Sequence, residues 1–237
     1  QYSLCGDPAD RDRYEIAVLR EPASRGGSEW VHAALNPGDR LEIWPPANHF
    51  PLVAAPSYLF VAGGIGITPI RAMIESLPAK RDWRLIYLGR SRRTMAFLPE
   101  LLAAAPDRVC AYPRDEHAER LDVAAAVTAL PGEVYCCGPS DLVDTVVAAV
   151  PAGMSHVERF TPRLRVGAPR TALEISCARS GRDVVVPPDA TVLEALEASG
   201  VAVLASCRRG VCGSCPAPRR ADWCSTCSGP HAPARLT

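Results

Sequence analysis

Five short apolar runs between Tyr58 and Phe160 alternate with helix-length segments, and that alternation leaves the chain few architectures to choose from. YLFVA (58–62), RLIYLG (84–89), RVCAY (108–112), EVYCC (133–137) and HVERF (156–160) have strand length and composition. After the first run comes a helix with clear punctuation: Thr68 as N-cap, Pro69 at the first helical position and Pro78 beyond the end. Ile70, Met73, Ile74 and Leu77 share its apolar face. Leu142, Val143, Val146 and Val150 form a similar stripe on a later helix. Repeated strand–helix units predict a parallel sheet with helices on both faces, over residues 55–163.

The flanks read differently. Residues 1–54 hold three strand candidates, YSLC (2–5), YEIAVLRE (14–21) and RLEIW (40–44), separated by turns, with a short helix expected after the glycines of SRGGSEWVHAAL (24–35). This is part of an antiparallel β-domain; three strands do not readily close a barrel. TPRLRVGAPRT (161–171) reads as a linker. Residues 171–237 begin with two strands, EISC and DVVVP, around the turn ARSGR. A helix follows whose Thr191 and Glu194 have capping-box spacing and whose Gly200 suits the exit. A further strand, VAVLAS (201–206), then leads into a cysteine loop. That order opens a small β-grasp domain. The expected fold class is therefore α/β and multidomain: a partial antiparallel β-domain, a parallel α/β domain and an incomplete β-grasp domain.

Charge excludes two classes of partner. The 26 basic residues equal the 26 acidic ones, so nothing marks nucleic acid or an anionic membrane as a partner. The apolar run YLFVAGGIGITPI (58–70) is too short and too rich in glycine to span a bilayer. A soluble cytoplasmic protein is the expectation, in which 10 cysteines favour metal binding over disulfides. His32, His49, His117, His156 and His231 are scattered and read as non-catalytic, and no nucleophile–base pair calls for hydrolytic chemistry.

Cys207, Cys212 and Cys215 form C-x4-C-x2-C, the plant-type [2Fe–2S] spacing, which needs a distant fourth cysteine. Gly210 and Gly213 let the backbone curl around the sulfurs, and Arg208 and Arg209 offset the charge of thiolates and sulfides. A zinc reading competes: Cys212, Cys215, Cys224 and Cys227 make C-x2-C-x8-C-x2-C, two pairs of thiolates. GGIGITP, where a strand gives way to a helix, suits a phosphate held by backbone N–H groups, or merely a tight turn. It is not the Rossmann fingerprint, because Pro69 takes the third glycine position and Arg90-Ser91, not an acidic residue, follows the next strand.

Seven motifs in order, YSLCGDP, RGGS, AGGIGITP, GRS, CCGP, HVERF and SCRRGVCGSC, resemble the phthalate dioxygenase reductase / vanillate O-demethylase reductase family from residue 2 to about 215. The resemblance implies an FMN domain over 1–54, an NAD domain of ferredoxin-reductase type over 55–163 and a ferredoxin domain over 171–237. It assigns Tyr2 and Ser3 to the isoalloxazine, Ala17 and Val18 to its surroundings, Gly26, Gly27 and Ser28 to the FMN phosphate, and Phe160 to the stacked ring. Gly64, Gly66 and Thr68 would face the dinucleotide, Arg90 and Ser91 its ribose or phosphate, and Cys137, Gly138 and Pro139 the nicotinamide. NADH is the family's donor, while Arg90, Arg92 and Arg93 also suit a 2′-phosphate.

The family's fourth cysteine follows the third by roughly thirty residues, whereas 22 residues follow Cys215 here. That tail lacks Val and Ile, and no strand is expected in it. The arginine that precedes the family's Tyr-Ser would lie before Gln1. The chain is expected to be cut short at its start and truncated or frameshifted at its end. The implied chemistry is a relay in a monomer: NADH gives a hydride to the flavin, and single electrons pass through the cluster to a Rieske-type oxygenase. The alternatives are a non-catalytic nucleotide-binding and zinc-thiolate module, or an inert fragment of such a reductase.

Overall fold

A computed structural model describes residues 2–24, 26–43, 45–160, 171–178, 180–203 and 205, with the backbone of 234–236. The chain divides into two units, residues 2–161 and residues 162–237 together with Gln1.

In the first unit, β1 (Ser57–Gly63), β2 (Asp82–Gly89), β3 (Val109–Pro113), β4 (Glu133–Gly138) and β5 (Ser155–Arg159) form one sheet in the order β3-β2-β1-β4-β5. Every pairing is parallel, with Phe60 opposite Leu85 on one side and Tyr135 on the other. Side chains alternate across the pleat, so each apolar run feeds two cores. Phe60, Leu85, Tyr87, Tyr135 and Cys137 pack on one face with α2 (Ile67–Ser76) and α3 (Leu98–Ala104). Leu59, Val61, Ile86, Val134 and Cys136 pack on the other with α4 (Val123–Thr128) and α5 (Ser140–Ala149). Burying one such large apolar side chain stabilises the fold by about 1.5–3 kcal/mol, which explains why the runs are continuous and not alternating.

The helix after β1 starts differently from the expectation. A 3-10 turn over Gly64–Gly66 intervenes, and α2 begins at Ile67 with Gly66 as N-cap. Thr68 is thus inside the first turn, buried, and its hydroxyl donates back to the Ile65 carbonyl (3.0 Å). Its sequence looks like a cap because threonine and proline favour any first turn, not one position of it.

The N-terminal strands are also corrected. Residues 2–5, 14–21 and 40–43 lie outside any named strand, and one antiparallel bridge, Leu4 to Ile16, joins the first two. Apolar alternation predicts an extended chain; a ladder additionally needs a neighbour at each step. Here Tyr14 and Ile16 remain 61% and 45% exposed. The short helix α1 (Gly27–Ala33) forms as expected.

In the second unit, β6 (Leu173–Cys177) and β7 (Arg182–Val186) form an antiparallel hairpin that turns at Gly181, and α6 (Val192–Ala198) packs on it through Ala195 and Leu196. The capping box is present: Thr191 Oγ1 accepts from the Glu194 amide (3.2 Å), and the Thr191 amide donates to Glu194 Oε2 (2.8 Å). Two expectations fail here. Residues 201–203 and 205 belong to no strand, whereas the tail supplies β8 (Ala234–Leu236), parallel to β6 with Ala234 opposite Ile175. A three-residue edge strand needs only backbone N–H and C=O groups, so composition did not reveal it. Among the described residues, no helix is long and apolar enough to cross a membrane.

Candidate functional site

From β1 the chain moves outward through β2 and β3, then returns across β1 to β4 and β5. The order therefore reverses between β1 and β4, and in open parallel sheets ligands bind in the crevice beyond the carboxyl ends at such a point. The two segments that meet there are Gly63–Gly66 and Cys137–Pro139. Their glycines do different things. A Cβ on Gly66 would lie 2.2 Å from the Cys137 carbonyl oxygen, and one on Gly138 would lie 2.9 Å from Gly63 Cα. These residues let two strand ends approach. Gly64 instead has φ 54° and nothing within 4 Å of its missing side chain, so its backbone is open to a ligand. Tyr87 braces this turn, its buried hydroxyl lying 3.2 Å from the Gly64 carbonyl and 3.1 Å from that of Ala96. In the sequence Tyr87 is one residue of the apolar strand RLIYLG, and no local signal marks its hydroxyl.

Arg90 and Ser91 follow β2 at the same end of the sheet. The Arg90 carbonyl accepts from the Asp115 amide (3.1 Å), and Ser91 opens a turn closed by Thr94. Arg92 is paired with Glu116 (2.8 Å).

Cys137 is fully buried, its Sγ 4.0 Å from Glu158 Oε2 on β5. Burial, and then the charge of Glu158, push the thiol far above its ordinary range. Cys136, one residue earlier, points into the opposite core and is pushed up to about 12 by burial. The Ser3 hydroxyl donates to Glu158 Oε2 (3.2 Å). Burial raises the Glu158 carboxyl above its ordinary value, against the pull of Ser3 and His49. Ser3 and Cys137, singled out for different cofactors, thus meet at one carboxylate. Glu158 was missed although HVERF contains it, because an acidic residue late in a strand looks like surface charge.

Tyr2 and Phe160 leave 38% and 40% of their surfaces exposed. The Tyr2 hydroxyl lies 3.6 Å from where a Gly27 side chain would begin, and Gly26, with φ 105°, has open space in that direction. Ser24 gathers this turn: its Oγ accepts from the Gly26 amide (3.1 Å) and from Ser28 Oγ (3.0 Å), while the Glu21 amide donates to Ser28 (3.2 Å). Ala17 and Val18 are half-buried, and the Val18 carbonyl lies 2.7 Å from His32 Nε2. Exposed rings, a hydroxyl and an open glycine turn fit a flavin mononucleotide, whose ring system is apolar and whose phosphate takes N–H donors.

Cys207, Cys212 and Cys215, and the zinc set with Cys224 and Cys227, lie outside the described residues. Among the described residues no cluster of His, Cys, Asp and Glu is arranged for a metal.

Comparison with known proteins adds independent findings. Residues 175–231 match a family model described as a 2Fe-2S iron-sulfur cluster binding domain. The chain is 46% identical over 222 residues to phenoxybenzoate dioxygenase subunit beta of Ectopseudomonas oleovorans, covering 90% of this chain and 69% of that protein. It is 37% identical over 224 residues to vanillate O-demethylase oxidoreductase of Pseudomonas putida, covering 91% and 71%. The solved structure of phthalate dioxygenase reductase, described as modular for electron transfer from pyridine nucleotides to [2Fe–2S], superimposes with a TM-score of 0.70 at 36% identity. That match covers 92% of this chain and 71% of the other. With the switch-point crevice, the glycine turns and the cysteine spacing already in place, these likenesses settle the ancestry: the chain belongs to the phthalate dioxygenase reductase / vanillate O-demethylase reductase family of oxygenase reductases.

Proposed function

We propose that the chain carries electrons from NADH through FMN and a [2Fe–2S] cluster to the terminal component, of Rieske type, of an aromatic-ring oxygenase or demethylase system. Residues 1–54, 55–163 and 171–237 are its flavin, nucleotide and ferredoxin parts, working as a monomer in the cytoplasm. One observation carries the reading. The crevice end of β4 and the Tyr2–Ser3 segment meet at Glu158, so the candidate nicotinamide residues and the candidate flavin residues share a contact.

FMN, when bound, supplies the exchange between a two-electron donor and one-electron acceptors. The chain's own groups bind and exclude. Gly64 leaves its backbone open to a phosphate, while Gly66 and Gly138 close the strand ends beneath it. The Cys137 thiol keeps its proton at neutral pH, so it is no nucleophile toward an incoming nicotinamide. Ser3 fixes the Glu158 carboxyl and thereby the approach of the N-terminal segment to β5. Cys207, Cys212 and Cys215 are the proposed ligands of the cluster.

The test is direct. The chain is incubated with FMN, and quenching of flavin fluorescence reports binding. Anaerobic NADH then bleaches the flavin band, and ferricyanide or cytochrome c is reduced in turnover. A chain that quenches no FMN fluorescence is an inert fragment, and one zinc per chain with no iron or acid-labile sulfide sinks the relay.

A further inference from the structure

We propose that Arg71 is a positioning residue that, through Glu15, fixes the distance between the two candidate cofactor sites; this rests on the relay reading above. Arg71 sits one turn into α2, the helix that opens from the candidate dinucleotide turn. Its guanidinium is held on three sides. Nη1 meets Glu15 Oε1 at 3.1 Å, Nε meets Glu75 Oε1 at 2.9 Å, and the Phe97 ring lies beneath at 4.2 Å from its centroid. The side chain is 18% exposed, so this is a network around a largely covered cation and not a lone surface pair. Phe97 adopts φ 60°, a conformation rare for bulky residues, in the turn that brings its ring under the guanidinium.

Glu15 is where the N-terminal segments cross. Its carbonyl accepts from the Cys5 amide (2.9 Å), and the neighbouring bridge pairs Leu4 with Ile16. Gly6 makes room for it, since a Cβ there would lie 2.9 Å from Glu15 Cβ. Ser3 stands two residues before Cys5, and Ala17 and Val18 stand two and three after Glu15. A pull on Glu15 therefore moves both extended segments that carry flavin candidates. Arg71 ties that crossing to α2, whose start is the dinucleotide turn. Transfer between two bound rings needs reacting atoms about 3–3.5 Å apart, and a displacement of about 1 Å costs on the order of a hundredfold.

Two measurements test this, the first without cofactor. In amide hydrogen exchange of the chain alone, Arg71→Gln and Glu15→Gln speed exchange at the Cys5 amide, which donates to the Glu15 carbonyl, about tenfold, while β1, β2 and β4 keep their protection. Glu75→Gln, which spares the Glu15 contact, leaves exchange at Cys5 unchanged. With FMN bound, Arg71→Gln slows flavin reduction at saturating NADH by about ten- to a hundredfold, with NADH affinity and FMN content within about twofold of the parent chain. Arg71→Lys, which keeps the charge but loses the fork, falls between. Unchanged exchange at Cys5 in both Gln variants overturns the proposal, and so does a loosened segment with an unaltered reduction rate. A parent chain that takes no FMN overturns the relay reading, while exchange at Cys5 still decides whether Arg71 holds the segment.

Discussion

The Ser3 hydroxyl donates to Glu158 across 155 positions of sequence, onto a carboxyl whose burial gives the molecule a pH signature. Burial lifts the Glu158 carboxyl above its ordinary 4.5, and Ser3 and His49 only partly counter it. A carboxyl raised on folding holds its proton longer in the native state. Its contribution is complete below about pH 4.5 and is lost as pH rises through the raised value, because the native state then must bury a charge. Glu158→Gln should flatten the fall of stability across that window. Urea midpoints measured from pH 4 to 8 check it, and parallel curves for parent and variant would refute the assignment. Ser3→Ala should move the loss to higher pH, since it removes a bond that favours the carboxylate.

Gly64 and Gly66 are two residues apart and should respond differently to alanine. At Gly66 the added methyl meets backbone, the Cys137 carbonyl oxygen at 2.2 Å, so β1 and β4 must part. A loss of about 3 kcal/mol or more is expected, read as a lower denaturation midpoint. At Gly64 the methyl meets nothing within 4 Å, and only the positive φ opposes it, at about 1–2 kcal/mol. That variant folds and loses nucleotide affinity, because its methyl occupies the open side of the turn. Equal NADH titrations of parent and Gly64→Ala would remove Gly64 from the site.

What the sequence disclosed was mostly local. The five strands, α2, α5 and the Thr191–Glu194 box each follow from residues within one element, where periodicity and capping act. The parts that escaped depend on distant partners. Thr68 missed the cap position because Gly66 must tuck against β4 before α2 can start. The N-terminal strands were extended but lacked successive neighbours, and Glu158 looked like a surface charge until Ser3 covered it. β8 was hidden because its pairing with β6 uses backbone alone. The candidate site was thus visible as separate motifs, while their meeting at Glu158 was not.

The segment that leads into β1 is held by two phenols. The Val53 amide donates to the Tyr135 hydroxyl (2.7 Å), and the Tyr58 hydroxyl donates to the Val53 carbonyl (2.8 Å). Tyr135→Phe leaves that amide without its partner and should cost about 1–3 kcal/mol. Faster amide exchange at Val53, with Cys5 unaffected, would distinguish this anchor from the Arg71 network. Unchanged exchange at Val53 would show that water replaces the phenol without loss.

Single cysteine replacements separate the two metal readings, because the proposed ligand sets overlap without coinciding. Cys212 and Cys215 belong to both and discriminate nothing. Cys207 belongs to the [2Fe–2S] set alone, and Cys227 to the zinc set alone. Loss of one thiolate opens a coordination position on a cluster iron, so Cys207→Ser should release iron and acid-labile sulfide together and bleach the visible absorbance. Under the zinc reading the same change leaves one metal per chain, and Cys227→Ser removes it. Cys227→Ser is informative even if the cluster forms: a chain that keeps its iron takes its fourth ligand elsewhere, and one that loses it uses Cys227 as that ligand. Iron, zinc and sulfide measured on the same purified samples decide among these outcomes. Zinc retained in Cys207→Ser and lost in Cys227→Ser would leave no cluster through which electrons could reach an oxygenase.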